Sequence, residues 1–180
     1  MSDEKDSGGI WIVSTRDPDD EPVCEVTWGP LQWYATVEDV REASADLVTC
    51  AAYAEMMKVL ITEGGLEPKL VQHFTELILR GREKRFFGAP TMMELQPAGA
   101  RNGAGDRLAV VLLRRGSMQE GLSPDEARAT ALAWLEVAEG TESDQLVSEA
   151  LRAVGVPAAT AEKVFGYLRQ LRSTGYRRPE

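Results

Sequence analysis

Apolar residues recur at helical spacing between Thr36 and Gly65, and this is the clearest pattern in the chain. Thr36 suits a helix cap, acidic residues follow it, and two glycines end the segment. The pattern predicts a long central helix of about 26 residues, which spans roughly 39 Å. Because its apolar surface is wide and rich in alanine, we expect packing on both sides of the helix. The first stripe is Val40, Ser44, Leu47, Ala51, Ala54, Met57 and Ile61, and the second is Val48, Ala52, Met56 and Val59.

Shorter apolar runs predict strands before this helix. Residues 10–15 and 23–28 are rich in β-branched and aromatic side chains, and the segment between them is rich in Asp and Pro. The two runs therefore predict an antiparallel hairpin, with residues 31–34 as a short third strand.

The region after the central helix predicts a second helix and a second hairpin. Residues 68–80 open with proline and carry apolar residues on one face, which is typical of an amphipathic helix. Residues 91–96 and 107–114 predict two strands joined through the glycine-rich loop at 98–106. The second of these strands is apolar on both faces, so we expect it to be central in its sheet.

The C-terminal third carries three successive helix-start signals. Ser123 opens a capping box with proline at the first helical position, Thr141 is a second cap after Gly140, and Pro157 follows Gly155. The prediction is an α+β fold in which antiparallel hairpins pack on a long central helix, followed by a C-terminal three-helix bundle. The predicted organisation is a disordered N-terminus at 1–9, an α+β body at 10–116, a helical unit at 123–173 and a basic tail at 174–180.

The charge distribution narrows the classes of partner. The formal net charge of the 180 residues is −9, and residues 145–180 alone carry +3, which leaves −12 for the rest. An acidic body argues against a protein that coats nucleic acid or anionic membrane. The longest apolar run is far shorter than the roughly 20 residues of a membrane helix, and the acidic first residues do not resemble a secretory signal. We expect a cytoplasmic protein with no membrane partner.

Few residues offer catalytic chemistry. His73 is the one histidine, and Cys24 and Cys50 form no C-x-x-C motif, so we expect two buried free thiols. A Cys50–His73 pair is an alternative, but a cysteine in the middle of an alanine-rich helix is not activated. The acidic run at 17–21 lacks the glycine and spacing of a calcium loop and predicts a solvated turn. The sequence therefore predicts no catalytic residue, no metal site and no cofactor, and an enzyme built from dispersed carboxylates remains the third alternative.

The segment at 147–170 resembles the helix-turn-helix of DNA-binding regulators. Gly155 takes the place of the turn glycine, with small or apolar residues at the expected offsets around it. Leu151 departs from the pattern, since a small residue usually stands there. A plain helical hairpin and a protein-docking module are the other interpretations. The DNA-binding alternative implies contacts from Thr160, Lys163, Arg169, Arg172, Arg177 and Arg178.

The leading hypothesis is a non-enzymatic protein-interaction or assembly protein, which binds a protein partner or associates with itself. Aromatic residues in the N-terminal strands are candidate exposed anchors. A basic-aromatic cluster after the second helix is a candidate docking patch for an acidic partner. The candidate partner-binding residues are Trp28, Trp33, Tyr34, Arg82, Arg85, Phe86 and Phe87.

Overall fold

A computed structural model describes residues 9–80, 92–101 and 107–175. It is a mixed α+β fold with two antiparallel three-stranded sheets and four helices among these residues. The elements are β1 (Ile10–Arg16), β2 (Pro22–Trp28), β3 (Leu31–Ala35), α1 (Val37–Thr62), α2 (Pro68–Arg80), β4 (Glu94–Arg101), β5 (Arg107–Arg115), β6 (Met118–Leu122), α3 (Pro124–Ala153) and α4 (Ala158–Gly175).

The first sheet has the order β1-β2-β3, which confirms the N-terminal hairpin and its third strand. Ile12 pairs with Val26, and Val26 pairs with Trp33. At the β1–β2 turn, one Asp17 carboxylate oxygen accepts hydrogen bonds of 2.9 Å from the backbone N–H groups of Asp19 and Glu21. The acidic run is therefore a turn stabilised by its own side chain, as its Asp and Pro content predicts.

The second sheet has the order β4-β5-β6, so β5 is central as predicted. The glycine-rich segment departs from the prediction, because β4 continues to Arg101 and its residues pair with β5 as far as Arg107. Residues 102–106 lie outside the described residues. Strand β6 was not predicted; it is short and has few apolar residues, and it follows a tight turn at Gly116 with φ of 58°.

Helix α1 confirms the predicted central helix, with 26 residues between its caps. Thr36 and Asp39 form a reciprocal capping box, in which each side chain accepts a hydrogen bond from the other residue's backbone N–H. The first apolar stripe is buried, and Leu47 at its centre is fully inaccessible. The second stripe is not covered, since Val48 is 44% and Val59 is 50% exposed. Helix α1 was expected to bury both stripes, but only the first stripe is buried.

The predicted three-helix bundle is wrong in one respect, the helix boundary at Gly140 and Thr141. Helix α3 runs through both residues without interruption and has 30 residues. Thr141 is fully buried, and its hydroxyl donates to the Val137 carbonyl one turn earlier at 2.9 Å. A buried threonine that bonds back along its own helix is not available as a cap. The C-terminal region therefore has two helices, the long α3 and the shorter α4.

The helices cover one side of both sheets. Helix α1 packs on β4 and β5, α2 packs on β4 and α1, and α3 packs on β1, β2 and α1. The sheets approach each other where the Arg115 guanidinium lies 3.9 Å from the ring centroid of Trp33. Leu47, Val111 and Trp134 belong to the same buried core, so α3 shares one hydrophobic core with the preceding elements. None of the described helices combines the length and hydropathy needed to cross a bilayer.

Candidate interaction surfaces

The residues with catalytic potential do not come together. Cys24 and Cys50 are free and buried, as predicted, while His73 is exposed on α2. Burial raises the pKa of the Cys50 thiol to about 12 and also raises the pKa of Cys24. A thiol held protonated in this way is a poor nucleophile. Among the described residues, no group of three or more His, Cys, Asp or Glu side chains is arranged to hold a metal ion.

A cleft of about 540 Å³ lies between the β1–β2 turn and the α3–α4 turn. Its two arginines are already paired, since Arg16 lies 3.0 Å from Asp20 and Arg152 lies 3.0 Å from Glu21. Arg16 also stacks 4.2 Å from the ring centroid of Phe165, which ties α4 to the first sheet. Both arginines of the cleft are therefore neutralised, and its described residues offer no convergent acid–base pair.

Strand alternation separates the three aromatic candidates of the first sheet. Trp28 is 2% exposed and belongs to the core, so the expectation that it is an exposed anchor is wrong. Trp33 is half-buried on the same side, beneath Arg115. Tyr34 points to the opposite side and is 50% exposed. Successive side chains of a strand point to opposite faces, which is why adjacent Trp33 and Tyr34 differ.

The basic-aromatic candidates cannot be placed in the same way. Arg82, Arg85, Phe86 and Phe87 lie outside the described residues.

Tyr34 belongs to an apolar surface on the outer face of the first sheet, on the side away from α3. We call the outward-facing residues Trp11, Val13, Glu25, Thr27, Gln32 and Tyr34 the aromatic sheet face. Trp11 is 70% exposed and Val13 is 51% exposed. Ile12, between them, is buried at 8%. The cross-strand pairing places Trp11, Thr27 and Gln32 in one row and Val13, Glu25 and Tyr34 in the next.

One carboxylate lies in the middle of this face. Glu25 is flanked across the strands by Val13 on one side and Tyr34 on the other. The Gln32 amide donates a hydrogen bond to Glu25 Oε1, which fixes the carboxylate on the sheet surface. The face therefore combines exposed aromatic and aliphatic groups around a single negative charge. Trp11 and Val13 were not among the predicted site residues, although an inward Ile12 implies that its two neighbours in the strand point outward.

The segment that resembles a helix-turn-helix has a standard helix end. Gly155 has a φ of 73°, and the Val156 N–H bonds to the Leu151 carbonyl at 2.9 Å, as in a Schellman motif. In α4, Thr160 and Lys163 are exposed, but Glu162 is exposed beside them. Lys163 is the only cation among the α4 side chains that the structure describes.

The side chains of the remaining DNA-binding candidates are not described by the structure. The side chains of Arg169 and Arg172 are outside the described set, as are Arg177 and Arg178 entirely. DNA binding therefore stays a prediction.

No protein-family model matches this chain, and searches of curated proteins and of solved structures found no significant match either.

Proposed function

We propose that this chain is a protein-interaction protein that docks a partner on the aromatic sheet face. The observation that carries the proposal is the exposure of Trp11, at 70%, beside Val13 and Tyr34, at 51% and 50%. Single exposed apolar residues are ordinary, but neighbouring ones on one face form a patch of the kind that marks interaction sites. Trp and Tyr are also the residues that contribute most often to binding hot spots.

The charge on the face indicates the kind of partner. Glu25 lies among apolar groups, and docking of an apolar surface over it removes its carboxylate from water. Such a carboxylate needs a cation from the partner, because an unpaired buried charge is costly. The chain also has a net charge of −9, which favours encounter with a basic surface. The proposed partner is therefore a protein with apolar side chains around a lysine or arginine.

Site-specific photo-crosslinking in the cells that naturally make the protein tests this function. A benzophenone amino acid replaces Tyr34 in one variant and Tyr167 in the control. Tyr167 lies on α4 and is 71% exposed, so the control position is at least as accessible. We expect a discrete adduct from position 34, on a partner peptide that contains lysine or arginine, and none from position 167.

A second substitution makes the test specific for the aromatic sheet face. Trp11→Ala in the position-34 variant should remove the adduct, because it deletes the largest exposed anchor of the face. An adduct that persists after Trp11→Ala, or equal labelling from both positions, contradicts the proposed function.

A further inference from the structure

The exposed part of α1 carries several apolar side chains among charged ones such as Glu42 and Glu55. Val48 and Val59 are 44% and 50% exposed, and the alanines at positions 45 and 52, on either side of Val48, are exposed too. Surface helices usually carry polar residues on this side, and a helix that is apolar all round is usually buried. The described residues bury the first stripe of α1 and leave these apolar side chains uncovered, and neighbouring exposed apolar side chains form a patch of the kind that marks interaction sites.

Two ion pairs align α3 beside this stripe. The Arg41 guanidinium lies 2.5 Å from Glu142, and the Arg128 guanidinium lies 2.5 Å from Glu55. On α1, Val48 is seven residues from both Arg41 and Glu55. On α3, the half-buried Leu135 is likewise seven residues from both Arg128 and Glu142. Seven residues are two helical turns, so Val48 and Leu135 lie between the two ion pairs on the same side of an antiparallel helix pair.

The four charges of these two ion pairs alternate in sign around the apolar centre. At one end of the helix pair, Arg41 of α1 lies beside Glu142 of α3. At the other end the signs are exchanged, because Glu55 of α1 lies beside Arg128 of α3. A rotation of 180° about an axis across the middle of the two helices brings each arginine opposite a glutamate. The pattern is therefore complementary to itself, which is the property that an isologous contact requires. Three further carboxylates on α3 lie outside the alternating pairs: Glu139 and Asp125, which also contact these arginines, and Glu136, which is exposed beside Leu135.

We propose that this helical face, formed by the outer sides of α1 and α3, binds a second copy of the chain. In the dimer, α1 packs antiparallel on α1 of the second copy, and the two-fold axis passes beside Val48 and Leu135. Arg41 of each copy then faces Glu55 of the other, and the existing ion pairs become a network. Ala45 and Ala52 flank Val48 and allow the two helices to approach closely, while Leu132, 60% exposed, extends the apolar contact on α3.

The size of the helical face fits a stable dimer. Helix α1 has 26 residues and is therefore about 39 Å long, and two adjacent helices present a width of about 20 Å. Their product is roughly 800 Å² for each copy, which is the usual area of a specific interface. This proposal is independent of the proposed function, because the helical face and the aromatic sheet face are formed by different residues on different elements.

Light scattering coupled to size-exclusion chromatography tests the dimer, with Val48→Asp as the disruptive variant. The substitution places two carboxylates near the axis and should weaken association on the order of a hundredfold. Val154→Asp is the matched control, since Val154 is 76% exposed and lies beyond the end of α3. We expect a dimer for the wild type and for Val154→Asp, and a monomer for Val48→Asp with unchanged circular dichroism.

A disulfide test keeps the proposal falsifiable if Val48→Asp fails to fold. Val48→Cys should form a covalent dimer under mild oxidation, because the axis brings the two positions together, whereas Val154→Cys should not. The native cysteines are fully buried and do not interfere. A monomeric wild type at high micromolar concentration overturns the proposal. So does a dimer that Val48→Asp leaves intact or that Val48→Cys does not link.

Discussion

The aromatic sheet face and the helical face both expose apolar side chains, but they arrange charge in different ways. On the aromatic sheet face, Glu25 is a single carboxylate among Trp11, Val13 and Tyr34, and it needs a cation from outside. On the helical face, each arginine is already paired within the chain, and the signs alternate around Val48. Exposed apolar area alone does not separate the two surfaces. Their charge patterns do, and they favour a different protein on one side and a second copy on the other.

The largest effect is expected for the two sides of α1, where a buried and an exposed thiol should differ in reactivity. Cys50 lies only two residues from Val48 but is fully buried, and burial raises its pKa to about 12 from an ordinary 9.0. In Val48→Cys, diluted until the chain is monomeric, we expect the thiol at position 48 to alkylate at least about a thousandfold faster than Cys50 at pH 8, because three pKa units separate their thiolate populations. Peptide mass spectrometry after timed iodoacetamide treatment measures both rates in one sample.

The same reaction in denaturant provides the control. Once the chain is unfolded, both thiols should react at similar rates, because the burial that suppresses Cys50 is lost. Comparable rates in the native protein would mean that Cys50 is accessible and that α1 does not separate an inner from an outer side.

The next largest effect is expected for the two faces of the first sheet, which should differ in how much an alanine substitution lowers the free energy of unfolding. Trp28→Ala should lower the free energy of unfolding by about 3–5 kcal/mol, because it leaves a cavity in the core. Tyr34→Ala, on the aromatic sheet face, should cost well under half of that, since its side chain is 50% exposed. Urea unfolding followed by fluorescence measures both variants. If Tyr34→Ala is as costly as Trp28→Ala, then Tyr34 has a structural role and is a weak candidate for docking.

Local signals predicted most of the elements. The cap at Thr36 and the apolar spacing after it located α1, and apolar and β-branched runs separated by turn-forming residues located both hairpins. The error at Gly140 and Thr141 has a physical cause, because the packing of Thr141 against β2 decides the local structure: its hydroxyl lies 3.4 Å from Cys24 Sγ. A contact between residues 117 positions apart is not visible in the spacing of caps and glycines. Tertiary packing of this kind overrides weak local preferences.

The candidate surfaces were less predictable than the fold. Residue type alone favoured Trp28 as an anchor, but the register of β2 turns it toward the core. The second stripe on α1 was visible in the sequence, yet its exposure depends on where α3 packs. The alternation of charge across α1 and α3 was not visible at all, because it arises from pairing between positions such as 55 and 128. Surfaces assembled from distant elements therefore require the structure.

Acidification provides the finest test of the comparison, because it acts on the ion pairs of the helical face. The hydrogen bonds from Arg128 and Arg41 lower the pKa of Glu55 and Glu142, respectively, below the ordinary value of 4.5. A lowered carboxyl pKa stabilises the fold above the ordinary value, and this stabilisation is lost as the pH falls through the lowered value. We expect thermal stability to decline below about pH 4.5, and we expect Glu55→Gln to show a shallower decline.

The control for this experiment is Glu162→Gln, at an exposed position on α4 and outside the helical face and its ion pairs. Its stability should follow the wild type over the whole pH range. The effect of Glu55→Gln on stability should be small, because these pairs are solvent-exposed and screened by salt. Its effect on the fraction of dimer should be clearer, since Glu55 also faces Arg41 of the second copy in the proposed arrangement. An equal dimer fraction in Glu55→Gln and wild type at neutral pH would place the contact away from this end of α1. The proposed charge pairing between Glu55 and Arg41 of the second copy would then be wrong.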